Sequence, residues 1–296
     1  MQRGDVSAID TARDVQCAIA SGNRGRPLHH RAVLVLAAAS FAATVQAAAE
    51  PICKPVPLGE GTVQAIADRH TVRLADGRDV RLAGVELPHR GGTDALTRAT
   101  RTALETALVG RKIALSRLGV GEDRYGRIVA LVAADPRARN GATGIAETIQ
   151  WSLLAQGHAR VAARIGDAGC AAALWTAEQT ARTAGLGLWS DPYYVMALAE
   201  DPERILASRG RFAVVEGTVL SVRESGGTIY VNFGRRWSED FTVTVPKRIE
   251  RTFAAAGLHL KALASRRVRV RGTVEERGGP WIEATRPEQI EITDGR

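Results

Sequence analysis

Aromatic residues are scarce in this 296-residue chain, at 5% of the total, so its core must be filled by aliphatic side chains, Ala, Val and Leu above all. Acidic side chains are outnumbered: Lys and Arg total 40 against 32 Asp and Glu, a formal charge of +8. That balance favours acidic partners such as nucleic acid or an anionic membrane surface. Heptads, low-complexity tracts and repeats of solenoid length are missing, which leaves out coiled coils and solenoids. No apolar run reaches the roughly 20 residues that a resting membrane-spanning helix needs, so no stable membrane span is expected.

The apolar stretch that is present follows Arg31 and ends in small residues around Ala47 to Ala49. A basic residue, a short apolar run and an A-x-A-like site are the parts of a cleaved export signal, and they predict a periplasmic or secreted protein. Only three cysteines occur, and Cys17 lies in the segment expected to be lost. Cys53 and Cys170 then form an even pair in an oxidising compartment, and a disulfide between them is expected.

From Gly61 the strand-like runs TVQAIAD, TVRLAD and DVRLAGVEL follow one another, with Asp76–Gly77 as a hairpin turn. TDALTRATRTALETALVG reads as a helix capped at Thr93 or Asp94 and stopped by Gly110. The strands KIALSRL and RIVALVAA then flank the polar loop GVGEDRYG. A second helix near Gly144 to Gly157, a short strand ARVAA and a third helix from about Ala171 to Ala184 come next. Strands with inserted helices, rather than a strict βαβ alternation, predict an α+β fold: a five-stranded OB-type barrel with helices. Residues 191–210 read as a linker. From Phe212 a strand, strand, strand, helix, strand, strand order predicts a second, OB-like barrel. The expected organisation is a targeting segment over 1–49, domains over 50–190 and 211–296, and the linker between them.

Four stretches, RLAGVELP, EDRYGR, LLAQGHARV and AEQTARTAGLGLW, stand in order over roughly Gly61 to Ser190. In these the first domain resembles the staphylococcal nuclease (thermonuclease) family. The resemblance implies an OB-type barrel and calcium-dependent endonucleolytic hydrolysis of nucleic-acid phosphodiesters. It also implies that Arg81 and Arg127 are the two phosphate-binding arginines. A guanidinium fork suits two phosphate oxygens at once, as such a transition state requires.

The remainder of the implied site departs from that pattern. The metal-binding aspartate is replaced by His70, the aspartate ending the next strand by Glu86, and the general base by His89. The family's base-stacking tyrosines align with Ala163 and Ile165, leaving Tyr125 as the aromatic near the arginines. Calcium prefers several hard oxygens. Three readings therefore stand side by side for His70, Glu86 and His89. They bind zinc or manganese, or His89 is a metal-free general base, or all three are ordinary polar residues.

In the second domain Arg267, Arg269 and Arg271 share one strand face, with Tyr230, Phe233, Trp237, Arg235 and Arg236 on or near neighbouring strands. A basic face with interleaved aromatics holds single-stranded or non-specific nucleic acid. The expected function is that of an exported thermonuclease-like hydrolase with a divergent site. The other reading is a catalytically inactive binding or scaffold protein of the same fold.

Overall fold

The first barrel closes because one strand is long enough to pair on both sides. In the computed structural model, which describes residues 53–89, 93–119, 121–135 and 144–294, β1 (Val56–Ile66) begins five residues before the Gly61 expected from its pattern. Its first half pairs with β5 (Lys112–Arg117) and its second half with β2 (Thr71–Leu74). The switch needs bulges, and one falls at Gly59, whose φ of 122° only glycine adopts without strain. With β3 (Asp79–Leu82) and β6 (Ile128–Ala133) the order is β1-β2-β3-β6-β5, a closed barrel. Its interior is aliphatic, as the composition implies: Val72, Leu74, Val80, Leu82, Ile113, Leu115 and Leu131 are all buried.

Helix α1 (Asp94–Leu108) starts after Thr93 and is ended by Gly110 at φ 76°. The short β4 (Val85–Glu86) pairs with β7 (Arg160–Val161) outside the barrel, and α2 (Ile149–Ala155) lies between β6 and β7 in the chain. Helix α3 (Ala168–Thr183) begins three residues earlier than its apolar pattern implies, because the Asp167 side chain caps it by accepting from the Cys170 amide at 2.7 Å. The expected disulfide joins Cys53 to Cys170, with an S–S distance of 2.08 Å. The expected export segment, with Arg31 and Ala47–Ala49, lies outside the described residues.

Residues 191–210 are built into the fold. Tyr194 is buried, and β8 (Ala197–Leu198) pairs in parallel with β9 (Phe212–Thr218). Helix α4 (Pro202–Leu206) uses Asp201 as its cap and proline in its first turn. Beyond it, the strands of the expected second barrel fall into two sheets. One has the order β10-β11-β12-β15-β14 and the other β16-β13-β9-β8. The first comprises β10 (Ser221–Ser225), β11 (Thr228–Asn232), β12 (Thr242–Pro246), β15 (Gly279–Glu283) and β14 (Glu275–Arg277). The second adds β13 (Arg267–Thr273) and β16 (Ile290–Ile292) to β8 and β9. A second aliphatic core includes Val215, Val231, Val243, Val270 and Ile282, with α5 (Glu250–Ala255) contributing Phe253. Residues 49–296 form one compact unit.

Candidate functional site

Pairing across strands brings the two candidate phosphate arginines to a common neighbour. Arg81 on β3 sits opposite Thr71 on β2, and the Thr71 hydroxyl accepts a hydrogen bond from Arg127 Nη1 at 3.0 Å. Arg127 follows the turn of the EDRYGR loop. The Asp123 carboxylate shapes that turn by accepting from the Tyr125 and Arg127 amides at 2.9 and 3.1 Å. The same carboxylate holds the Arg127 guanidinium at 2.7 Å, and Asp68 lies 3.7 Å from it. Burial pushes Asp68 up, but the hydrogen bonds from the His70 amide and from Thr71, with the charge of Arg127, outweigh it and hold the carboxyl low. Tyr125 is exposed, with the guanidinium of Arg124 4.8 Å and that of Arg127 5.3 Å from its ring centre. Arg81 is different: among the described residues its side chain makes neither a hydrogen bond nor an ion pair. One guanidinium of the pair is anchored and the other is free to take an anion.

Of the candidate metal and base residues, His70 lies beside the two arginines, but its ring is already engaged. His70 is buried, and both ring nitrogens already face N–H donors. The Leu87 amide lies 3.3 Å from Nε2 and Arg69 Nε lies 3.3 Å from Nδ1. Burial, then the charges of Arg81 and Arg69, push its pKa down to about 4, so the ring is neutral at pH 7. Its Nε2 lone pair is used on a backbone amide, and His70 acts as a brace between β2 and the end of β4.

Glu86 sits on β4 opposite Arg160 of β7 and offers that buried guanidinium a counter-charge. His89 lies against Tyr193 and Tyr194, with ring centres 5.7 and 6.1 Å away. Its backbone exchanges hydrogen bonds with the Tyr194 hydroxyl at 3.0 and 3.2 Å. Among the described residues no group of three His, Cys, Asp or Glu side chains is arranged to hold a metal ion. Of the three readings for His70, Glu86 and His89, this arrangement favours ordinary polar residues over a calcium, zinc or manganese site. The His70 Nε2 lone pair already faces a backbone amide, and Glu86 lies across from the charge of Arg160.

The arginines of β13 also need correcting. They do share one face, but that face is covered by the rest of the chain. Arg271 is 0% exposed and binds Glu178 of α3 and Glu291 of β16, each at 3.0 Å. Arg269 is buried between Glu291 at 2.9 Å and Glu216 at 2.5 Å. Arg267, half exposed, ends the series on Glu216 at 2.8 Å. Alternation along the strand was legible, whereas the glutamates lie 20 to 93 positions away in sequence. Arg271 ties the two halves together through Glu178, Arg269 pairs within the second half, and neither buried guanidinium is available to nucleic acid.

Other partners carried weak sequence signals. Asp123 stands two residues before Tyr125, the spacing of an Asx turn, and its carboxylate reaches on to Arg127. Arg160 is nearly fully buried, hydrogen-bonded to the Phe212 carbonyl at 3.3 Å and stacked between Tyr194 and Phe212. Nothing in its AR-V context foretold this.

No curated protein matches the chain. The family model described as staphylococcal nuclease homologue matches residues 79–191. The match opens at β3 and runs through the arginine mouth, α3 and the segment that ends beside Tyr193. The strands β1 and β2 precede it and complete the barrel. The closed five-stranded barrel and this match together fit a domain of the staphylococcal nuclease homologue family, matched over residues 79–191.

Proposed function

We propose that the mouth of the barrel is an anion pocket for a nucleic-acid phosphate, in a nuclease-type domain whose calcium-supported hydrolysis is absent or very weak. The observation that carries this is the free Arg81 beside Arg127, which Asp123 and Thr71 hold in place. Two guanidiniums converging at strand ends attract phosphate whether or not a base is present. The loss of the family's calcium chemistry follows from the donor set. His70 is locked in the frame, Glu86 is turned to Arg160, and His89 is packed on tyrosines. Retained phosphodiester hydrolysis is the second reading, favoured by the family match alone.

The reading extends along the chain: an export segment over 1–49, the nuclease-type domain over 50–190, a connection over 191–210 and an OB-like module over 211–296. A periplasmic or secreted location is supported by the Cys53–Cys170 disulfide. No helix among the described residues is long and apolar enough to cross a membrane. Intact mass of protein taken from the periplasm should place its first residue between Gln46 and Glu50; a chain retaining Arg31 contradicts export.

The test of the site is capture of a mononucleotide phosphate by the exported protein, followed by incubation with single- and double-stranded DNA under a metal panel with a chelator control. Wild type should capture the nucleotide and Arg81→Ala with Arg127→Ala should not. Rapid calcium-dependent digestion that Glu86→Gln abolishes would sink the proposal in favour of the second reading.

A further inference from the structure

The five-stranded sheet of the C-terminal segment carries a trough of about 610 Å³ on one face. Its floor follows from strand alternation. Ser221, Arg223 and Ser225 of β10 point into it, while Val222 packs on the core and Glu224 turns away to Lys247 at 2.6 Å. Next to them, Asn232 of β11 and Thr242 of β12 form a polar ladder. Asn232 Nδ2 donates to Ser221 Oγ at 3.4 Å and Thr242 Oγ1 donates to Asn232 Oδ1 at 3.5 Å.

Aromatic rings form the walls. Tyr230 and Trp281 meet edge to face with centres 6.0 Å apart. Trp237 stands on the rim with 72% of its surface exposed, in a chain that has few aromatics to spend. The loop that carries it is braced: the Asp240 carboxylate accepts from the Arg236 amide at 2.7 Å, and Arg236 pairs with Glu239 at 2.9 Å. Those pairings occupy the acids nearest the rim. The lining itself contains Arg223 and Arg235 and not one carboxylate.

We propose that this trough is a second nucleic-acid site, separate from the barrel mouth, that takes single-stranded oligonucleotide. Bases stack on Trp237 and on Tyr230, which is backed by the buried Trp281; Arg223 and Arg235 meet the phosphates, and the Ser–Asn–Thr ladder meets polar base edges. Stacking is tolerant of sequence because every base presents a π-face, and an acid-free lining suits a polyanion. A duplex keeps its bases stacked on one another, so the trough selects single strands. The arginines expected to make the basic face of this segment lie in the other sheet; this sheet supplies its own.

Anisotropy of a fluorescein-labelled oligothymidylate 12-mer, titrated with the full chain at several salt concentrations, tests the proposal. Trp237→Ala should weaken binding by about 5- to 150-fold, the range that loss of one stacked base produces. Trp237→Phe should retain most of it. Arg223→Ala with Arg235→Ala should reduce the slope of log affinity against log salt by about 1.4, two contacts at about 0.7 each. The Trp237→Ala change is repeated in the Arg81→Ala, Arg127→Ala background, where the barrel-mouth pocket is removed, and should weaken 12-mer binding there by the same factor.

Unchanged binding by Trp237→Ala overturns the proposal. So does 12-mer binding that depends on Arg81 and Arg127 with no contribution from Trp237 in either background, an outcome in which the phosphate pocket alone accounts for the binding. A neutral oligosaccharide that binds through Trp237 where the oligonucleotide does not would show that the ligand class is wrong.

Discussion

The barrel mouth and the seam between the two halves are both built from arginine on strand ends and faces, yet the two regions do opposite things with it. In the seam, Arg182, Glu178, Arg271, Glu291, Arg269, Glu216 and Arg267 alternate in sign along one continuous chain of contacts. Its central members are buried, so each charge depends on its neighbours for solvation. At the mouth, Arg127 is tied to Asp123, but Arg81 keeps its donors for something outside the protein. Partnered guanidinium is structural and unpartnered guanidinium is available. The same residue type on neighbouring β-structure therefore cannot be read as one function.

The disulfide gives the largest expected effect. It closes a separation of 117 residues and holds the start of α3, the helix that carries Glu178 into the seam. Chain entropy for a loop of that size corresponds to about 5 kcal/mol. Cys53→Ser with Cys170→Ser should lower the urea-unfolding free energy by that order, and a loss below about 1 kcal/mol would show that the seam needs no such anchor.

Breaking the seam itself comes next. Arg271→Ala leaves Glu178 and Glu291 buried without their shared partner, and should cost about 3–5 kcal/mol. Arg73→Ala breaks an exposed pair with Asp79 and should cost under about 1 kcal/mol. Equal effects in chemical denaturation would erase the distinction between partnered buried charge and surface charge. Replacing Arg271, Glu178 and Glu291 together by Met, Gln and Gln should recover part of the loss, because Arg269 keeps Glu216 while Arg182 loses its pair with Glu178.

At the mouth, acid should act through His70. The folded ring has its pKa pushed down to about 4, whereas in the unfolded chain it returns to the ordinary 6.5. Between those values the unfolded chain binds more protons, so stability falls as pH drops through that window. It is fully present above about 6.5. The gap corresponds to about 3 kcal/mol by pH 4. His70→Gln should flatten that part of the stability–pH curve, and an unchanged slope would assign it to carboxylates elsewhere.

Arg81→Ala should have the smallest effect on stability, within about 0.5 kcal/mol, since among the described residues no side-chain hydrogen bond or ion pair is lost. It removes a positive charge beside His70, so the ring should titrate above pH 4 by NMR while nucleotide capture falls. A strongly destabilised Arg81→Ala would place Arg81 with the seam arginines after all.

Much of this molecule could be read before its coordinates. Period-two patterning and glycine turns set out the strands of the first barrel, and RLAGVELP with EDRYGR marked Arg81 and Arg127 as a pair. The bulge at Gly59 was less legible, because a strand that pairs on both sides looks in sequence like an ordinary strand preceded by a loop. The His70–Glu86–His89 grouping failed for a related reason. Spacing puts residues near strand ends but does not say which N–H, guanidinium or ring each will meet.

By itself, then, the sequence determined the aliphatic core, the basic charge, the expectation that Cys53 pairs with Cys170, and the face on which each arginine of β13 lies. These depend on composition and on local backbone period. Only the tertiary structure decided that Arg271 lies buried between Glu178 and Glu291, that Arg81 stays free, and that Tyr230, Trp237 and Trp281 line one trough. Each of those outcomes rests on contacts between segments far apart in the chain. Burial, which sets whether a charge is bound within the protein or offered to a partner, is a property of the assembled fold and of no single stretch.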